Sequence, residues 1–122
     1  MEKVDVGEHV RTNKGNIGKV VEIRLGLNKD TELYQTIYML DNGLWTILDY
    51  IVKHSKQITD LIEVGDIVNG MEVLDIYKPR DLWEPIEIRI DSRYTNFILA
   101  EDIKTILTKE QYLANCYKVG GE

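Results

Sequence analysis

One short motif occurs twice in the chain, beginning at Val4 and again at Ile62. The segments VDVGEHV and IEVGDIV share a β-branched residue, an acid, Val, Gly, a second acid and a final Val in the same order. Each copy continues into a turn containing Asn and Gly and then into an apolar strand pattern. Such turns between alternating apolar residues predict β-hairpins, because Asn and Gly tolerate positive φ. The repeat predicts two copies of one hairpin-rich unit, residues 1–61 and 62–122.

The strand pattern predicts four or five short strands in each copy. After the first hairpin, loops are expected at residues 26–32 and 78–85. A second hairpin is then expected at residues 33–48, turning at 41–43, and at residues 86–99, turning near 91–95. A short turn precedes the last strand of each copy. We therefore expect a mainly β fold: two tandem SH3-like small barrels packed together, with one or two short helical turns.

Helix is predicted at only two places. Thr108 stands three residues before Gln111, which is the spacing of a capping box, and the helix it begins is expected to end by Asn115. A closing strand is expected at residues 117–119. The weaker candidate lies around residues 49–56, where His54 is expected on a solvated turn.

The negative charge of the chain is concentrated in its second half. The net charge of −6 divides into −1 for residues 1–61, with eight Lys and Arg against nine Asp and Glu, and −5 for residues 62–122, with seven against twelve. A negative surface repels phosphate backbones, so the charge disfavours nucleic acid and favours a protein partner with a basic surface. An acidic N-terminus, one cysteine and no long apolar run favour a cytoplasmic protein that does not contact a membrane.

The opening hairpin carries a family resemblance. The segment VGEHVRTNKGNIGKVVEI, residues 6–23, resembles the first hairpin of KOW-like and other SH3-like barrels, which pair a Gly-acid-x-Val strand with a Gly-x-Val strand. The resemblance implies an alternative function as an RNA- or ribosome-contacting module. The nucleic-acid-binding residues would then be Arg11, Lys14, Lys19 and Arg24. Acids interleaved with these four favour an ordinary mixed surface instead.

A second resemblance covers the middle and the end of the chain. Residues 51–70, together with TKEQY at 108–112 and YKV at 117–119, are similar to small β-rich proteins of Firmicutes phages and prophages. This similarity implies a phage accessory protein that engages a host protein inside the bacterial host. Inhibition of a host defence complex, as by anti-CRISPR proteins, is the leading expectation. The similarity brings no catalytic motif.

No catalytic signature is present in the sequence. There is no glycine-rich phosphate loop, nucleophile elbow, His-Glu-x-x-His or Cys-x-x-Cys pattern. We therefore expect a non-enzymatic protein without a cofactor or metal. A small-molecule or nucleotide-signal binding protein remains the competing class, and unpaired strand edges make a homodimer reasonable.

Binding is best supported by residues 78–85, which hold both prolines, one of the two tryptophans and an arginine. Trp and Arg dominate interface hot spots, and prolines limit the entropy lost when a loop docks. The candidate partner-binding residues are Lys78, Arg80, Asp81, Leu82, Trp83, Glu84 and Glu87. In the alternative, Trp83 folds back over its own barrel and leaves Arg80 solvated. The other tryptophan, Trp45, is expected in the core or between the copies.

Overall fold

The computed structural model describes residues 3–81, 83–90, 96–116 and 119. The chain divides into two units, Met1–Leu61 and Ile62–Glu122. Each unit holds one five-stranded antiparallel sheet. The described residues add one short α-helix and three 3₁₀ turns, so the prediction of a mainly β protein is confirmed. None of the described residues belongs to a helix long and apolar enough to cross a membrane.

The first unit contains strands β1 to β5 in the sheet order β4-β3-β2-β1-β5. The strands are β1 His9–Thr12, β2 Ile17–Asn28, β3 Leu33–Leu40, β4 Trp45–Thr46 and β5 Ile51–Ser55. One 3₁₀ turn, Leu48–Tyr50, separates β4 from β5, and a second, Ile58–Leu61, follows β5. The first strand therefore lies between the second and the fifth.

The predicted loop at residues 26–32 is wrong in its first half, because β2 continues to Asn28. The pairing of β2 with β3 extends from Val20 to Asn28. Gly26 pairs with Gln35, and Asn28 pairs with Leu33. The reversal is confined to residues 29–32. Asn28 Oδ1 accepts from the backbone N–H of Asp30 at 3.0 Å, and Glu32 takes a positive φ of 58°. A side-chain turn of this kind closes a hairpin without glycine.

The second unit repeats the arrangement with strands β6 to β10 in the order β10-β6-β7-β8-β9. The strands are β6 Ile67–Val68, β7 Met71–Tyr77, β8 Glu87–Ile90, β9 Phe97–Ile98 and β10 Ile106–Leu107. The 3₁₀ turn Ala100–Asp102 again precedes the last strand, and the helix α1, Lys109–Asn115, follows it. Asn69 and Gly70 have φ values of 52° and 81°, which confirms the predicted turn. The predicted turn near 91–95 lies outside the described residues.

The two units are similar in detail. Gly7 and Gly65, the glycines of the repeated motif, both have φ of 96°. Gly7 N–H donates to the carbonyl of Val20 at 2.9 Å, and Gly65 N–H donates to that of Val73 at 3.0 Å. A β-bulge follows Val20 in the first unit and Val73 in the second. These shared irregularities suggest an internal repetition.

Equivalent apolar positions form one core in each unit. The buried residues of the first core are Val4, Val10, Val20, Tyr38 and Leu40. Those of the second are Ile62, Val68, Val73, Ile88, Ile90 and Ile98. Since directly opposed residues share a face of the sheet, the pairs Val20–Leu40 and Val73–Ile90 stabilise the same place in each sheet.

The helical predictions have mixed outcomes. The Thr108 side chain accepts from the backbone N–H of Gln111 at 3.3 Å, and α1 ends at Asn115, as predicted. The predicted closing strand includes residues 117 and 118, which lie outside the described residues, and Val119 is in a turn. The solvated turn predicted for His54 is wrong. His54 lies in β5, opposite Val10, because β5 pairs with β1.

Candidate binding sites

The first candidate site is the tryptophan loop, residues 78–85, which joins β7 to β8. Its turn is closed by the backbone N–H of Glu84, which donates to the carbonyl of Asp81 at 3.1 Å. Trp83 stands in this turn with 81% of its surface exposed. The alternative in which Trp83 folds back over its unit is therefore wrong, while Arg80 is exposed as that alternative expected. Leu82 lies outside the described residues.

The charged residues predicted for this site lie on and beside the same loop. Lys78, Arg80, Asp81 and Glu84 are all exposed. Glu87 is half-buried at the start of β8, where its Oε2 lies 3.9 Å from Nη2 of Arg89. The Arg89 guanidinium in turn lies 5.2 Å from the centre of the Tyr77 ring. Glu87 thus belongs to the base of the loop, and the other four charged residues lie on the loop and are exposed.

The four basic residues predicted to contact nucleic acid do not form one surface. Arg11 is fully buried, and its Nη1 donates to the carbonyl of Leu61 at 3.0 Å, so it cannot contact a phosphate from this position. Lys14 and Lys19 are exposed. Arg24 is also exposed, and its Nη2 donates to Oε2 of Glu22 at 2.8 Å. This hydrogen bond lowers the pKa of the Glu22 carboxyl and balances the charge of Arg24.

The second candidate site is a groove of about 320 Å³ in the first unit, which we call the aromatic groove. It lies between the β1–β2 turn and the segment formed by β4 and the following 3₁₀ turn. The lining residues are Thr12, Asn13, Lys14, Asn16, Trp45, Thr46 and Tyr50. Trp45 and Tyr50 are 60% and 51% exposed.

The core position predicted for Trp45 is wrong, and the register of β4 explains why. Thr46 is opposite Tyr38, a buried core residue, so Thr46 faces the core and is only 4% exposed. Trp45 is opposite Met39 and projects from the other face of the strand. The alternating sequence of residues 44–49 indicates that the strand has two faces, but it does not indicate which face is buried. If Thr46 is placed in the core, Trp45 must lie on the exposed face, and only that choice would have indicated the groove from the sequence.

The acids of the repeated motif have structural roles. The backbone N–H of Asp5 donates to Glu8 Oε2 at 2.7 Å and holds the pKa of the Glu8 carboxyl below its ordinary value, and His54 Nδ1, 3.2 Å from Glu8 Oε1, adds to this effect. In the second unit, the fully buried Asp66 accepts from the backbone N–H groups of Glu63 at 2.8 Å and Lys109 at 3.0 Å. Both carboxylates therefore tie a strand entry to a later segment of their own unit.

No family model, curated protein or solved structure matches the chain. Within the described parts of the chain, no three His, Cys, Asp or Glu side chains form a cluster that could hold a metal ion. Among the described residues, the tryptophan loop and the aromatic groove are two sites from which function can be argued, and the described residues of each belong to a single unit.

Proposed function

We propose that the chain is a non-enzymatic binding protein that engages a protein partner through the tryptophan loop. The exposure of Trp83, 81% of its surface, carries this proposal. An exposed indole contributes no burial energy to the fold. Its apolar surface is removed from water when a partner covers it, and this favours binding. Pro79 and Pro85, with the hydrogen bond from Glu84 to Asp81, restrict the loop before it docks.

The partner has a basic surface. Asp81 and Glu84 flank Trp83 at the turn, and the second unit carries five of the six net negative charges. Complementary charge around an aromatic anchor raises the association rate and excludes partners of the wrong sign. Lys78 and Arg80 add donors for carbonyl or carboxylate groups of the same partner.

We also propose that each unit is a small SH3-like barrel that serves as the scaffold of its surface loops. Three features support this assignment. The first strand pairs with both the second and the fifth, and a 3₁₀ turn separates the fourth strand from the fifth in each unit. The β-bulges after Val20 and Val73 bend the long second strand, as closure of a small sheet requires.

The resemblance of residues 51–70, 108–112 and 117–119 to phage proteins motivates a more specific form of the proposal. In that form, the chain is an accessory protein whose partner is encoded by the host, and binding inhibits a host defence complex. An acidic surface with an exposed aromatic anchor is suited to a basic groove that otherwise holds nucleic acid.

The proposal is tested by truncating Trp83 and comparing a matched variant in the other unit. Tyr34 is 73% exposed and lies just after the corresponding β2–β3 turn, so Tyr34→Ala removes an exposed aromatic of similar accessibility. Affinity for the partner captured from host lysate is then measured by biolayer interferometry. We expect Trp83→Ala to weaken binding by about 30-fold, the loss typical of a hot spot. Tyr34→Ala should stay within about twofold.

A second pair of variants tests the charge component. Charge reversal by Asp81→Lys with Glu84→Lys should slow association and reduce its dependence on salt. The control reverses Asp30 and Glu32, two exposed acids at the corresponding turn of the first unit. If Tyr34→Ala or the control reversal removes binding while the loop variants retain it, the tryptophan loop is not the binding site.

A further inference from the structure

We propose that the aromatic groove of the first unit is a second binding site, which takes a nucleobase that carries a phosphate. This inference is independent of the protein-binding role of the tryptophan loop, because it concerns other residues in the other unit. Three features support it: the hydrogen-bonded turn that forms one wall of the groove, the exposed rings and the charge of the lining.

One wall of the groove is a turn that is restrained by several hydrogen bonds. Thr12 N–H donates to the carbonyl of Asn16 at 2.9 Å, and Gly15 N–H donates to that of Thr12 at 2.9 Å. The Thr12 hydroxyl also accepts from Asn16 N–H at 3.1 Å. Asn13 N–H then donates to the carbonyl of Tyr50 at 2.8 Å, which joins this wall to the other. The groove is therefore formed before a ligand arrives.

The opposite wall presents two aromatic rings to solvent. Trp45 is turned outward by the register of β4, and Tyr50 ends the 3₁₀ turn. Both line the same groove while more than half exposed. Exposed rings beside a rigid polar wall are what a stacking site requires, because every nucleobase offers a flat π-face to an aromatic side chain.

The described lining residues suit an anionic ligand better than a cationic one. Lys14 is the charged residue among the described lining residues, and none of them carries a carboxylate, although the chain contains 21 acids. The amides of Asn13 and Asn16 can both donate to and accept from the polar edge of a base. A volume of about 320 Å³ is at the lower end for ligand sites, which fits one base with its phosphate.

The same base-and-phosphate chemistry occurs in a free nucleotide and in single-stranded nucleic acid. The net charge of −6 repels long polyanions, whereas it opposes one phosphate held by Lys14 much less. A duplex is disfavoured for the further reason that its bases are stacked on each other and cannot reach the rings.

The test uses the fluorescence of Trp45. Trp83→Phe leaves Trp45 as the only tryptophan, and this chain is titrated with AMP, UMP, ribose 5-phosphate and a ten-residue oligothymidylate up to about 10 mM. We expect saturable quenching by the nucleotides and none by ribose 5-phosphate. Tyr50→Ala in the same background should weaken binding by about 5- to 150-fold. Tighter binding of the oligonucleotide identifies a single strand as the source, and tighter binding of AMP or UMP identifies a free nucleotide.

A matched pair of lysine variants tests the phosphate contact. Lys14→Gln should weaken nucleotide binding by about fivefold, whereas Lys29→Gln, at the exposed β2–β3 turn, should leave it unchanged. The proposal is overturned if no nucleotide quenches Trp45 saturably, if ribose 5-phosphate quenches as strongly as AMP, or if the two lysine variants behave alike.

Discussion

The side chain of Asn69 joins two distant segments of the second unit, and its removal tests how much this connection stabilises the unit. Asn69 Nδ2 donates to the carbonyl of Asp102 at 2.8 Å. Its Oδ1 accepts from the backbone N–H groups of Lys104 at 2.8 Å and Thr105 at 3.1 Å. The β6–β7 turn is thereby connected to the segment that leads from the 3₁₀ turn into β10.

The cost of Asn69→Ala follows from these contacts and from the backbone. Three hydrogen bonds between exposed groups contribute about 0.5–1 kcal/mol each, which gives about 1.5–3 kcal/mol. The φ of 52° adds about 1 kcal/mol, because alanine tolerates the left-handed region less well than asparagine. Asn69→Gly loses the same hydrogen bonds without this strain, so it should be about 1 kcal/mol less destabilising than Asn69→Ala.

Urea unfolding measures both variants, and hydrogen exchange locates the effect. With a slope of about 2 kcal/mol/M, the combined loss of about 2.5–4 kcal/mol for Asn69→Ala should lower the unfolding midpoint of the second unit by about 1–2 M. The amides of Lys104 and Thr105 should lose protection, while Val10 and Val20 in the first unit keep theirs. Free energies of unfolding within about 0.5 kcal/mol of the wild type for both variants would refute this reasoning.

Three further predictions concern single contacts. Thr108→Ala should destabilise the second unit by about 1 kcal/mol, and Thr108→Ser should recover most of this loss; thermal unfolding of the two variants checks the N-cap. Arg11→Met should lower the free energy of unfolding in urea by about 1.5–3 kcal/mol, because the buried carbonyl of Leu61 loses a charged donor. A change near zero is the result expected for an exposed arginine and would contradict this role. The Asp5 N–H lowers the pKa of Glu8 below 4.5, so Glu8 contributes stability that is present above pH 4.5 and lost as the pH falls through the folded-state pKa. The stability difference between the wild type and Glu8→Gln should therefore shrink below that pH, and a difference independent of pH would contradict this account.

Local chemistry made part of the fold predictable from the sequence. The turn at Asn69 and Gly70 and the cap at Thr108 depend on residues within one turn of each other, and the structure confirms both. The repeated motif also indicated equivalent strand entries, which the matching hydrogen bonds of Gly7 and Gly65 now describe. These features depend on φ preferences and short-range hydrogen bonds, which each residue type expresses without tertiary contacts.

Features that depend on distant partners were not predictable. The sequence presents Arg11 as one of four surface cations, but its burial depends on the carbonyl of Leu61, fifty positions later in the chain. Trp45 and Thr46 could exchange roles by a one-residue shift in register, and only pairing with Tyr38 decides which one is buried. The turn expected for His54 is wrong because nothing near His54 in the sequence indicates the pairing of its strand with β1.

Photo-crosslinking tests the central claim, that the tryptophan loop contacts a protein partner, most directly. A benzophenone amino acid is placed at position 83 in the full chain, and a matched chain carries it at position 34, which is also exposed. Irradiation in host cells should give one discrete protein adduct from position 83 and none from position 34. Absence of an adduct at position 83, or the same adduct from both positions, would contradict the account.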